Sequence, residues 1–133
     1  MNPGLVNVGF PRRWAVYCRE RFPLMRHGLV IAAFVFATLA VVGAGGDRPG
    51  AVAPWPLAVG FVLALLAFLE LRILDEFKDA DDDAKYRPYR PVPRGLVSLR
   101  ELRAVGALAV AIQLTLAAFV GGAAVTALLV TLA

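Results

Sequence analysis

The residues best equipped for chemistry lie in one stretch, DEFKDADDDAKYRPYRPVPRG, running from Asp75 to Gly95. Six carboxylates (Asp75, Glu76, Asp79, Asp81, Asp82, Asp83) fall within nine residues, and arginines and prolines follow. If the segment is helical, Glu76, Asp79 and Asp83 stand at i, i+3 and i+7, while Asp75, Asp79 and Asp82 stand at i, i+4 and i+7. Each set shares one helix face. Like charges so placed repel by on the order of 2 to 3 kcal/mol per pair at an effective dielectric of about 20. Lys78 and Lys85 offset only part of this. Retained repulsion of that size points to a hard cation on oxygen ligands, Mg²⁺ or Ca²⁺. Mg²⁺ characteristically combines one or two carboxylates with waters and substrate phosphates, and so draws an anionic substrate to an acidic face. The bland alternative is a solvated charge run in a loop. Calcium sensing is excluded. Asp79, Asp81 and Asp83 fit the first three ligand positions of an EF-hand, but Ala84 replaces its turn glycine and Arg90 its bidentate glutamate.

The basic residues after the cluster suit a diphosphate. Arg87, Arg90 and Arg94, with Lys85, supply charged donors, and Pro88, Pro91 and Pro93 stiffen the backbone that carries them. Gly95 permits a turn. Ser98 then reads as a helix N-cap, with Glu101 three residues on completing a capping box.

The elements that must position these groups are membrane-grade. The 133 residues are 59% hydrophobic, with mean hydropathy +0.69, outside the range of ordinary soluble domains. The basic residues, behind a pI near 9.8, form two blocks flanking apolar spans. They make no stripe interleaved with aromatics, which argues against a nucleic-acid partner. An all-α transmembrane bundle is expected: residues 28–45 as a first span, 55–74 as a second, 104–120 as a third, and 123–133 as the start of a fourth. Residues 1–27 form a basic segment and 75–103 the Asp/Arg loop. The first run holds 18 uncharged residues, a rise of about 27 Å against a hydrocarbon core of roughly 30 Å. Glu70 and Arg72 fall in the last turns of the second run, within reach of the interface, and Trp55 between two prolines marks its other end. Gly121 and Gly122 interrupt the third.

Loop charges set the orientation. The N-terminal segment carries Arg12, Arg13, Arg19, Arg21 and Arg26, residues 46–54 carry only Arg48, and residues 75–103 carry seven Lys or Arg. The positive-inside rule therefore places the N-terminus and the Asp/Arg segment in the cytoplasm of a multi-pass protein. Residues 11–26, with Trp14, Tyr17 and Phe22 among the arginines, read equally as a short interfacial helix or as a plain basic flank. Cys18 is the only cysteine, so no intrachain disulfide forms, and His27 has no second histidine to share a metal with.

The Asp/Arg stretch resembles the first aspartate-rich motif and following loop of the UbiA superfamily of intramembrane prenyltransferases, whose pattern runs N-D-x-x-D-x-x-x-D, then Pro and an R-P-x-x-x-G turn. The matching positions are Asp75, Glu76, Asp79 and Asp83, then Pro88, Arg90, Pro91 and Gly95. The ERFPL at Glu20 to Leu24 is also similar to some members. The likeness is strong over about residues 71–102 and covers the whole chain in layout.

This resemblance implies a helical bundle of nine spans around a cavity. In it, Mg²⁺ on two aspartate motifs binds an allylic polyprenyl diphosphate, whose prenyl group passes to an acceptor, often an aromatic ring. It implies Asp79 and Asp83 as metal ligands, Glu76 and Asp75 in the leading positions of the motif, and Arg90 in the loop closing over the headgroup. The chain departs from the pattern in two respects. Asp75-Glu76 replaces Asn-Asp, and no second aspartate motif occurs, so the sequence is expected to be an N-terminal portion of a longer protein or a half that needs a partner. A CDP-alcohol phosphotransferase would need a D-G-x-x-A-R start, and no Asp-Gly occurs. The remaining alternative is a non-enzymatic membrane scaffold with a solvated acidic loop. The small residues of the third run suit close helix packing in either case.

Overall fold

Apolar stretches interrupted only by prolines and glycines fold into helices. A computed structural model of the chain describes residues 9–44 and 54–121, and the described residues contain five helices and no strand. These are α1 (Phe10–Arg21), α2 (Leu24–Ala44), α3 (Pro54–Lys78), α4 (Ala80–Tyr86) and α5 (Leu99–Val120). The expected start of a fourth span, 123–133, lies outside the described residues.

Two helices are long and apolar enough to cross a membrane, Leu57–Lys78 (mean hydropathy 2.3) and Leu99–Val120 (1.8). Only 6% and 17% of their apolar windows are buried, whereas the core helix of a soluble protein hides most of its surface. Exposed Phe68, Leu71, Leu74, Leu108 and Phe119 show the same thing residue by residue. The apolar part of α2, Leu24–Thr38, is shorter than these two, so the expected first span is not among them. Where hydroxyls occur on these apolar helices they bond inward: Thr38 Oγ1 donates to the Phe34 carbonyl at 2.9 Å and Thr115 Oγ1 to that of Ala111 at 2.8 Å, so neither seeks a partner elsewhere.

The chain divides into two compact units, one of Met1–Leu24 with Leu69–Leu108, the other of Met25–Phe68 with Ala109–Ala133. In the second unit α2 and α3 approach at Gly60, where a Cβ would lie 3.2 Å from Val35 Cγ1. The buried Gln113 of α5 donates through Nε2 to the Leu63 carbonyl at 3.2 Å. Gly121 ends α5 with φ +127°, in the region that favours glycine.

The first unit is built on a core of Tyr17, Ile73, Val97 and Leu102, with Trp14, Leu69, Phe77, Val92, Leu99 and Val105 packed against it. Phe10, Trp14 and Tyr17 fall on one face of α1 at i, i+4 and i+7 and stack in sequence, with ring centroids 6.0 and 5.4 Å apart. The aromatic face of α1 therefore joins the core of its own unit: Tyr17 is 0% exposed, and Phe22 beyond the helix end is buried too.

The Tyr17 hydroxyl is buried without a hydrogen-bond partner, a cost of about 1 to 3 kcal/mol. Tyr17→Phe is accordingly expected to leave stability unchanged or to raise it by up to about 1 kcal/mol. Tyr17→Ala, which empties the core position, is expected to cost about 3 kcal/mol or more. Denaturant unfolding in detergent micelles, read by circular dichroism, checks both.

Candidate functional site

The acidic stretch is helical throughout. α3 runs to Lys78, Asp79 stands at the junction, and α4 follows; the i to i−4 bonds continue across it, from Asp79 N to Asp75 O at 2.9 Å and from Asp83 N to Asp79 O at 2.8 Å. Helical register thus persists past the apolar span and sorts the carboxylates by face. Glu76 and Asp83 are each 1% exposed, and Asp79 is half-buried. Asp75, Asp81 and Asp82 are exposed. Of the two faces the spacing allows, the one formed by Glu76, Asp79 and Asp83 turns inward.

Each inward acid is met by a guanidinium. Glu76 Oε1 accepts from Arg21 Nε of α1, across 55 residues of sequence. Asp83 accepts twice, from Arg90 Nη1 on Oδ2 and from Arg87 Nη1 on Oδ1 at 3.2 Å. The same Arg90 nitrogen lies 4.0 Å from Asp79 Oδ2. Burial by itself would raise the Asp83 pKa, but the bonds from Arg90 and Arg87 outweigh it and hold the carboxyl below its ordinary 3.8. The bond to Asp83 likewise raises Arg90, so its guanidinium stays charged. Asp75, outside this network, pairs with Arg72 at 3.1 Å in the exposed i, i+3 manner.

The arginines are placed by the turn-rich segment 87–98. Arg90 N donates to Arg87 O, and Arg94 N to Arg90 O, both at 3.0 Å. Leu96 N reaches back to the buried Pro91 carbonyl at 2.9 Å. Gly95, at φ +77°, makes the reversal that a side chain would strain. The capping box forms as the sequence predicts: Ser98 Oγ accepts from Glu101 N at 3.2 Å while Glu101 Oε2 accepts from Ser98 N at 2.8 Å. Glu101 also pairs with Arg13 of α1 at 2.9 Å, and Arg13 donates to the Leu96 carbonyl at 3.0 Å.

Among the four residues expected to donate to phosphate, Arg87 and Arg90 meet on one carboxylate and the other two do not join them. Lys85 lies over the Tyr86 ring at 4.8 Å. Arg94 is tied to Glu20 of α1 at 2.9 Å and to the Tyr89 carbonyl at 3.1 Å. The residues that sequence reasoning missed are those of α1, Arg13, Glu20 and Arg21, which reach the segment from far upstream. The aromatic spacing of Phe10, Trp14 and Tyr17 is the signal that would have shown α1 to be a packed helix. Cys18 is free, and burial pushes its thiol pKa up, away from nucleophilic thiolate.

The acids expected to hold Mg²⁺ do not form a cradle for it as they stand. Among the described residues no three His, Cys, Asp or Glu side chains converge. Both Asp83 oxygens and one Glu76 oxygen are engaged by arginine, whereas Mg²⁺ requires free oxygens in near-octahedral array. The open hollows along α5, lined by Leu114, Thr115, Ala118 and Phe119 and by Ala111, Ile112 and Leu116, are apolar and belong to the second unit. Comparisons of the chain with family models, with curated proteins and with solved structures give no match.

Two outcomes test the network. Asp83→Asn is expected to cost about 1 to 3 kcal/mol, less than a fully buried pair because Arg87 and Arg90 are partly exposed, and Glu76→Gln, which strands the largely buried Arg21, about 3 kcal/mol or more. Asp81→Asn and Asp82→Asn should stay within about 0.5 kcal/mol of the parent. Acidification provides the second. A depressed carboxyl stabilises fully above its ordinary value and loses that contribution as pH falls through the folded one. The gap in melting temperature between the parent and Asp83→Asn should therefore be constant above pH about 5 and close progressively below about 4.

Proposed function

We propose that the chain is a membrane-embedded part of a UbiA-type prenyltransferase, whose Asp/Arg face receives the headgroup of an allylic polyprenyl diphosphate. The observation that carries this reading is the pairing of Arg87 and Arg90 on the buried Asp83. Two guanidiniums are held on one carboxylate just past α4, one of them 46% exposed in its side chain, and forked donors of this kind match phosphate oxygens. The fixed-spacing resemblance of Asp75 to Gly95 to that superfamily's first motif supports the same reading.

In a transfer of this class the C1–O bond of the allylic ester breaks and its electron pair leaves on the diphosphate. The acceptor, often an aromatic ring, bonds to C1 and releases a proton. The part that falls to this chain is electrostatic: Arg87 and Arg90 face the charge that grows on the departing oxygen, and Asp83 fixes their orientation beforehand. Because both Asp83 oxygens accept from guanidiniums, the headgroup charge is met here by arginine.

The proposal places the protein in a lipid bilayer as a multi-pass chain with its N-terminus and Asp/Arg segment in the cytoplasm. The two long apolar helices and the concentration of Lys and Arg on either side of the first two runs support this. A second reading, a non-enzymatic membrane scaffold, is favoured by one observation: both fully buried acids are already paired within the chain, as structural ion pairs are.

Calorimetric titration of the chain in detergent with geranyl diphosphate separates the two. The prenyltransferase reading expects saturable binding that weakens about tenfold in Arg87→Gln, the loss of one charge-assisted phosphate contact. Absence of binding, or binding indifferent to Arg87, leaves the scaffold.

A further inference from the structure

We infer that Arg90 is a tethered cation, filling the position at which Asp79 and Asp83 would otherwise gather a divalent metal, so that the acidic face is neutralised from within the chain. Asp79 and Asp83 lie one helical turn apart, and an oxygen of each approaches a single atom, Arg90 Nη1, which donates a hydrogen bond to Asp83 Oδ2 and lies 4.0 Å from Asp79 Oδ2. Two carboxylates that converge on one positively charged atom share a cation position. The position is taken by a nitrogen.

The neighbouring acids reinforce this assignment. Arg87 holds the other Asp83 oxygen at 3.2 Å, and Glu76, near enough for its charge to act on Arg90, has Oε1 on Arg21. Nor is Arg90 a loose side chain on a mobile stem. Its backbone N–H donates to Arg87 O, its carbonyl accepts from Arg94 N, and buried Pro91 follows it. A metal entering here would have to strip its own waters, which Mg²⁺ does reluctantly, and also expel a guanidinium hydrogen-bonded to a 1% exposed carboxylate. The fixed charge beside the acids repels it in addition. The wild-type face is therefore a poor binder of free hard cations, and removal of Arg90 exposes the oxygens. This inference concerns cations alone and stands whether or not geranyl diphosphate binds.

Electron paramagnetic resonance of Mn²⁺, titrated into the full chain in detergent micelles, tests it. Arg90→Gln is expected to bind Mn²⁺ about tenfold or more tighter than the parent, with the gain abolished when Asp79→Asn or Asp83→Asn is added. Circular dichroism reports whether Arg90→Gln folds. Should it not, Arg90→Lys keeps the charge but replaces the fork by a point donor, and a gain of about threefold or more is expected of it. Stoichiometric Mn²⁺ binding by the parent at tens of micromolar, lost in Asp83→Asn, would overturn the inference. So would a folded Arg90 variant that gains no affinity.

Discussion

A carboxylate buried in so small a unit keeps its charge only if a cation is buried with it. Glu76 and Asp83 impose that condition on everything around them. Arg21 can reach Glu76 only if α1 lies across the end of α3, and α1 lies there because Trp14 and Tyr17 share a core with Ile73 and Leu102. Arg90 can reach Asp83 only if the chain turns sharply after α4, and the turn across Pro88, closed by the Arg90 N–H on the Arg87 carbonyl, accomplishes it. Apolar packing and ion pairing therefore specify the same arrangement by independent means, the consistency expected of a sequence that selects one structure.

Arginine suits this role better than lysine would. The planar guanidinium satisfies one carboxylate oxygen and still lies near a second acid, as Arg90 does with Asp83 and Asp79, and it tolerates partial burial because it is weakly hydrated. The lysines of the stretch are used differently: Lys78 and Lys85 are exposed, and Lys85 rests on a tyrosine ring.

Much of the local structure was legible beforehand. The capping box at Ser98 and Glu101, the turn at Gly95, the halt at Gly121 and the helical continuation past Leu74 all rest on signals spanning only a few residues, and all are present. Two things were not legible. Helical spacing allowed two acidic faces, and only the packing of α1 shows which one turns inward. The repulsion among the acids was weighed against nearby Lys78 and Lys85, whereas Glu76 is neutralised by an arginine 55 residues away. Local patterns carry no record of such partners. Residues 11–26, which read equally as an interfacial helix or a basic flank, are helical as far as Arg21, and Trp14 and Tyr17 pack into the protein's own core, a partnership that local spacing does not record.

Three ion pairs of α1 span 55, 74 and 88 residues, to Glu76, Arg94 and Glu101 respectively. On a ribosome this helix is made well before its partners, which appear only after two long apolar segments have emerged. During that interval its arginines and aromatic face are unsatisfied, available to lipid headgroups or to a chaperone. Completion of the first unit therefore waits for the segment that follows α3, and a chain arrested before residue 101 would carry α1 undocked at one corner.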